Sequence, residues 1–167
     1  MKKQLMIALG LAALSLPALA AAADFSGTYV RDAKASDANY FPLYWITRDF
    51  IAPGGGGGET VVVVKQTPSS LQITDPARAI RNLPLDGQPH VVTAETGVVK
   101  QTVTASVQGD NLVVATVMPY AGMPGGITLN ANDTWSLSRD GKVLTVTTVR
   151  STPAAPRETS KQVYNRR

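Results

Sequence analysis

The chain holds one histidine and no cysteine. His90, with Asp86 and Glu95 nearby, is the grouping whose residue types suit a mononuclear metal site. The alternative is an exposed histidine in the turn that follows Pro89, and His90 is read that way. A Ser-His-Asp nucleophile would also have to use His90, and no Gly-x-Ser-x-Gly elbow stands elsewhere to complete it. The lack of cysteine excludes a disulfide framework, thiolate metal sites, a thiol nucleophile and a lipid-modified cysteine. The run Gly54 to Gly58 is not a phosphate loop, because Glu59-Thr60 follows where Lys-Ser/Thr is needed. Asp32 and Asp37 lack the ligand spacing of a calcium loop and read as turn caps.

Asp133 is the carboxylate in the most telling context. Within 127–138 the odd positions are Ile127, Leu129, Ala131, Asp133, Trp135 and Leu137. The even positions are Thr128, Asn130, Asn132, Thr134, Ser136 and Ser138. A carboxylate on the apolar face of a strand needs a partner or a shifted pKa, since an unpaired buried charge is costly. Arg150 or Gln101 is available for that role. The other reading is a strand-end residue that reaches solvent. Asp133 with Glu95 would be the basis of carboxylate-based isomerase or hydrolase chemistry. That reading ranks last, because acids are few and no motif groups them.

The elements that position these residues are strands. Residues 24–167 contain 18 Val and 17 Thr but 8 Leu. Side chains branched at Cβ suit a pleated surface and stiffen in a helix. Period-two alternation recurs in 99–107, where Val99, Val103, Ala105 and Val107 oppose Lys100, Thr102, Thr104 and Ser106. Gly109-Asp110-Asn111 and Asp140-Gly141 supply hairpin turns. Thr67-Pro68-Ser69-Ser70 and Thr152-Pro153-Ala154-Ala155-Pro156 separate further runs. Strands are expected near 25–31, 59–66, 70–74, 79–84, 98–107, 111–118, 127–138, 142–151 and 157–165. Eight or nine strands at this spacing, with no long helix, define an antiparallel barrel or sandwich.

Two segments stand apart. Five of the ten aromatics lie within 40–50: Tyr40, Phe41, Tyr44, Trp45 and Phe50. Pro42 can open a short helix there. The glycine run beyond it is a flexible connector. This patch is read either as a plug of ordinary core or as contact with a ligand or a partner protein. The second segment, Met118-Pro119-Tyr120-Ala121-Gly122-Met123-Pro124-Gly125-Gly126, is either a long hairpin loop or an adaptable rim of a portal.

The start of the chain has the form of an export signal. Lys2 and Lys3 precede an apolar stretch of about a dozen residues, then Pro17 and the small residues Ala18 to Ala23. Cleavage is expected before Asp24, which makes 1–23 a signal peptide and 24–167 one domain. The stretch is too short to span a bilayer, and no long apolar window occurs beyond it. The expected location is periplasmic or secreted. The net charge of +4 falls to +2 once Lys2 and Lys3 leave, because 14 Lys and Arg then face 12 Asp and Glu. With no basic run, nucleic acid is not an expected partner.

Short motifs in the domain are similar to those of the calycin superfamily. Phe25-Ser26-Gly27-Thr28-Tyr29 resembles the Gly-x-Trp strand that opens lipocalins, fatty-acid-binding proteins and avidins, with Tyr29 at the Trp position. Lys161-Gln162-Val163-Tyr164-Asn165-Arg166 resembles the closing strand of fatty-acid-binding proteins. Trp135 to Lys142 and Asp32 to Asp37 are similar to small secreted bacterial lipocalin-like proteins. The resemblance implies an up-and-down barrel of eight or nine strands, with a short helical or irregular segment between the first two. It also implies an interior that holds a small apolar molecule. Fatty-acid-binding proteins often hold a carboxylate with an Arg-x-Tyr pair in the last strand. Here Tyr164 matches the tyrosine, but Gln162 stands at the arginine. Gln hydrogen-bonds a carboxylate without forming the charged fork.

Together these features predict a non-catalytic barrel, without cofactor or metal, that binds a small hydrophobic molecule. The residues assigned to the ligand are Phe41, Tyr44, Trp45, Tyr120, Trp135, Gln162 and Tyr164. The alternative is a cavity-less interaction module of the envelope, or an inhibitor of a secreted enzyme, meeting a protein partner through the 40–50 patch.

Overall fold

The structure is a computed structural model that describes residues 23–38, 61–74, 80–93, 100–119, 128–152 and 155–167. The expectations for 1–22, the aromatic patch 40–50, the glycine run, Glu95 and Tyr120 lie outside the described residues. All the regular structure among the described residues is β-strand.

Ten strands form one antiparallel sheet. They are β1 (Gly27–Arg31), β2 (Val61–Gln66), β3 (Ser70–Thr74), β4 (Ile80–Pro84), β5 (His90–Thr93), β6 (Lys100–Gln108), β7 (Asn111–Pro119), β8 (Thr128–Leu137), β9 (Val143–Thr152) and β10 (Ala155–Arg166). The order is β4-β3-β2-β1-β10-β9-β8-β7-β6-β5. Apart from β4 and β5, strands adjacent in sequence pair with each other, and the first strand also pairs with the last. The sheet curls into a nearly closed up-and-down barrel. Its ends, β4 and β5, share no ladder, but β4 packs against β6 across the seam. The turn between them adds a bond from Gly87 N–H to Ala105 O.

Sequence alternation anticipates most of these elements. The exception is β5, which makes ten strands where the sequence predicts eight or nine. It has four residues, and a run that short shows no resolvable period. His90 is thus the first residue of a strand, not part of a turn. Its pairing with Val103 across β6 holds it there.

The turns are tight where the sequence demands it. Gly109 and Gly141 have φ of 60° and 70°, the left-handed region that residues with a Cβ disfavour. Asp140 Oδ1 accepts from Ser138 Oγ and from Lys142 N–H, and Ser138 Oγ accepts from Val143 N–H.

Strand direction gives the barrel two distinct ends. The connections 67–69, 85–89, 109–110 and 138–142 close one of them, the turn end. Strands β3, β5, β7 and β9 run out at the opposite, loop end. Beyond Arg31 the chain also heads there, alongside β10. Asp32 N–H donates to Val163 O and Asp37 N–H to Lys161 O.

The turn end is packed with large apolar side chains. Phe25, Tyr29, Leu71, Leu83, Leu112, Trp135, Leu144 and Tyr164 are all buried there. Phe25 meets Trp135 edge to face, with ring centroids 6.3 Å apart. Each such side chain contributes about 1.5–3 kcal/mol by leaving water.

Candidate binding site in the barrel interior

Towards the loop end the inward face changes character. Alternation still aims the same parity inward, but the residues become polar. Gln101 on β6, Thr116 on β7, Asp133 on β8, Thr148 on β9, and Ser160 and Gln162 on β10 are all buried. Register joins them into one stripe. Asp133 lies opposite Thr148, and Thr148 opposite Ser160. Val103 lies opposite Thr116, and Thr116 opposite Ala131, so Gln101, Thr116 and Asp133 step diagonally across adjacent strands.

Asp133 is 5% exposed, so it is an interior carboxylate rather than a strand-end one. Thr148 Oγ1 donates to its Oδ1 at 2.6 Å. Of the two partners expected from sequence, Arg150 is held by Glu158 at the rim, where Nε and Nη2 both donate to Oε2. Gln101 makes no bond to it, since neither amide atom has a partner.

Gln101 Nε2 and Oε1, Thr116 Oγ1 and Ser160 Oγ are buried without a hydrogen-bond partner. Gln101 and Thr116 are each 1% exposed and Ser160 8%. Leaving such a group unpaired costs about 1–3 kcal/mol. A partly open cavity of about 260 Å³ lies at the β9–β10 rim, lined by Arg150, Glu158, Thr159 and Ser160. The ladder between these two strands shifts register between Ala155 and Glu158.

Of the residues assigned to a ligand from sequence, Gln162 is the one among the described residues that lies in this stripe. Trp135 and Tyr164 belong to the packed turn end. Gln162 is fully buried, and its Oε1 accepts from Arg31 Nε at 2.8 Å. Its Nε2 donates to Lys161 O at 2.8 Å. Arg31 lies opposite Tyr164 on the neighbouring strand. A guanidinium from β1 therefore lies beside Gln162 and Tyr164. Phe41, Tyr44, Trp45 and Tyr120 lie outside the described residues.

His90 Nε2 lies 2.9 Å from Asp86 Oδ2 on the exposed surface. Asp86 is held below the usual carboxylate range, first by the Gln88 backbone N–H and then by His90. Among the described residues no group of three His, Asp or Glu side chains is placed to hold a metal. Asp32 and Asp37 do cap the segment after β1: Asp32 Oδ1 accepts from Lys34 and Ala35 N–H, and Asp37 Oδ2 from Lys161 N–H.

Sequence reasoning missed Thr116, Thr148 and Ser160, and gave Gln101 only as a partner for Asp133. A signal existed for Gln101. It is the one interruption in the apolar face of 99–107. Threonine and serine gave no such signal, because they fit either face of a strand.

Strand order and register together define a nearly closed up-and-down β-barrel, and a solved structure shares that fold. The chain is similar to a protein described as a secretary abundant heat soluble (SAHS) protein from Ramazzottius varieornatus. The TM-score is 0.53 and the identity 13%, over 87% of this chain and 96% of that one. That likeness concerns the fold. No protein-family model matches the chain. No curated protein matches it either.

Proposed function

We propose that this chain is an exported, non-catalytic barrel that binds a small, mainly apolar molecule at the loop end of its interior. The observation that carries the reading is the division of the inside into two halves. One half is filled by its own aromatic and aliphatic side chains. The other buries polar atoms with unfilled hydrogen-bonding capacity, beside a cavity at the rim. Binding sites combine apolar walls with a few such polar groups.

A binding role is favoured over chemistry by what the carboxylates in and beside the stripe do. Asp133 accepts from Thr148, and Glu158 pairs with Arg150. Neither faces a second acid across a cavity among the described residues. Export rests on the leader form of residues 1–23.

The test is native mass spectrometry of protein purified from the periplasm, before and after organic extraction. A reproducible extra mass that extraction removes is expected. A clean apo mass that stays clean on incubation with small amphiphiles overturns the reading. The intact mass also reports whether the chain begins at Asp24.

A further inference from the structure

We propose that the loop-end interior recognises an uncharged hydrogen-bonding group, a hydroxyl or carbonyl, on an otherwise apolar molecule. Gln101, Thr116 and Ser160 are the residues that read it. This rests on the interior-binding reading above and names the chemistry of its ligand.

The charged groups of the interior are already engaged. Among the described residues six charged side chains belong to the inward parity: Arg31, Arg81, Asp133, Arg150, Glu158 and Arg166, the last bonded to the Tyr29 hydroxyl. Arg31 donates to Gln162, Asp133 accepts from Thr148, and Arg150 pairs with Glu158. Arg81 also has an interaction of its own. Each of these groups thus has a partner within the protein.

Apart from Arg81 Nε, on a side chain that has an interaction of its own, what remains unfilled towards the loop end is neutral. Gln101 offers a free amide N–H and a free carbonyl, and Thr116 and Ser160 each offer a hydroxyl. An amide and two hydroxyls can donate to a carbonyl or exchange bonds with an alcohol. They offer no charge opposite to a carboxylate or an ammonium, so an ion would leave water here at a larger cost than an alcohol. Trp135 Nε1 is also without a partner. It lies in the packed turn end, however, and an indole N–H is a donor only.

Apolar neighbours complete the fit. Met118 and Leu129 are buried on the same inward face, one step nearer the loop end than Thr116 and Ala131. A ligand group at the stripe would leave its hydrocarbon against them. Ser160 lines the rim cavity, so the stripe reaches the surface at one end.

The experiment compares three probes of one chain length, octan-1-ol, octanoate and octylammonium, by calorimetric titration of the full mature chain. Octan-1-ol is expected to bind at least about tenfold more tightly than either ion. Thr116→Val and Gln101→Leu are each expected to weaken octan-1-ol about tenfold, one hydrogen bond each. Both variants remove an unpaired polar group, so both are expected to melt no lower than the parent. Octanoate binding as tightly as octan-1-ol overturns the proposal and leaves interior binding standing. So does alcohol affinity unmoved in both variants. Failure of every probe overturns the proposal outright. The native mass spectrum then tells whether the interior reading falls too, by the presence or absence of an extractable adduct.

Discussion

The guanidinium of Arg166 lies over the ring of Tyr29, 5.4 Å from its centroid, and its Nη2 donates to the Tyr29 hydroxyl at 2.8 Å. The same hydroxyl donates to Phe25 O, and Arg166 Nη2 reaches Asp24 O. Residues at the start of β1 and the end of β10 thus lock the turn end, where Arg166 pairs opposite Tyr29. Tyr29 thus buries its ring in the core and keeps a polar tip for these bonds.

Arg166→Ala is expected to cost about 1.5–3 kcal/mol, the scale of a charge-assisted hydrogen bond with cation–π contact. Urea denaturation measures it. Arg166→Lys recovers only part, because an ammonium cannot fork. Gly27→Ala should act on the same contact. A Cβ there would stand 2.9 Å from Arg166 Nε and 3.2 Å from the Tyr29 ring. An Arg166→Ala, Gly27→Ala pair that adds fully would disprove the shared cause.

Alkaline pH should destabilise the fold through Tyr29. Burial raises its pKa above the ordinary 10.0, and Arg166 opposes the shift only in part. The unfolded chain therefore ionises first as pH passes that value. Stability is full below it and falls as pH rises towards the folded pKa. Urea midpoints between pH 8 and 11 should decline, and Tyr29→Phe should flatten the slope.

Acid acts through four aspartates with lowered pKa. Ser26 holds Asp24 down, the Ala35 N–H Asp32, the Gln88 N–H Asp86, and the Ser138 hydroxyl Asp140. The unfolded chain takes up protons first as pH drops past 3.8, the ordinary value. Stability is full above that value and falls below it. Asp140→Asn should lessen the pH dependence of the urea midpoint between pH 5 and 2.5. An unchanged dependence would remove the turn from this account.

The interior stripe predicts opposite effects from two similar substitutions. Thr148→Val removes the donor to a buried carboxylate and is expected to cost about 1.5–3 kcal/mol. Thr116→Val removes an unpaired hydroxyl at nearly constant shape and is expected to gain about 1 kcal/mol. Thermal melting of the two variants side by side checks both signs.

Alternation made the long strands legible. Ile127 to Ser138 reads as β8 directly, and Asp140-Gly141 marks its hairpin. The short β5 was not legible, because Val91 and Val92 are too few to define a period. Interior chemistry was harder still. The bond from Arg31 to Gln162 joins residues 131 positions apart. Neither residue signals the other without the pairing of β1 with β10. Asp133 was visible as an oddity on an apolar face. Its partner Thr148 was hidden among threonines that alternate with little contrast.

At the seam β4 and β5 end the sheet, and among the described residues neither outer edge has a ladder partner, the usual setting for edge-to-edge aggregation. Both edges are short, with five and four residues. Pro84 closes one, and Pro89 stands immediately before the other. Proline offers no N–H to an incoming strand, and so few residues give it little to template on. The barrel can leave its seam without a ladder between β4 and β5 and still resist polymerising through it.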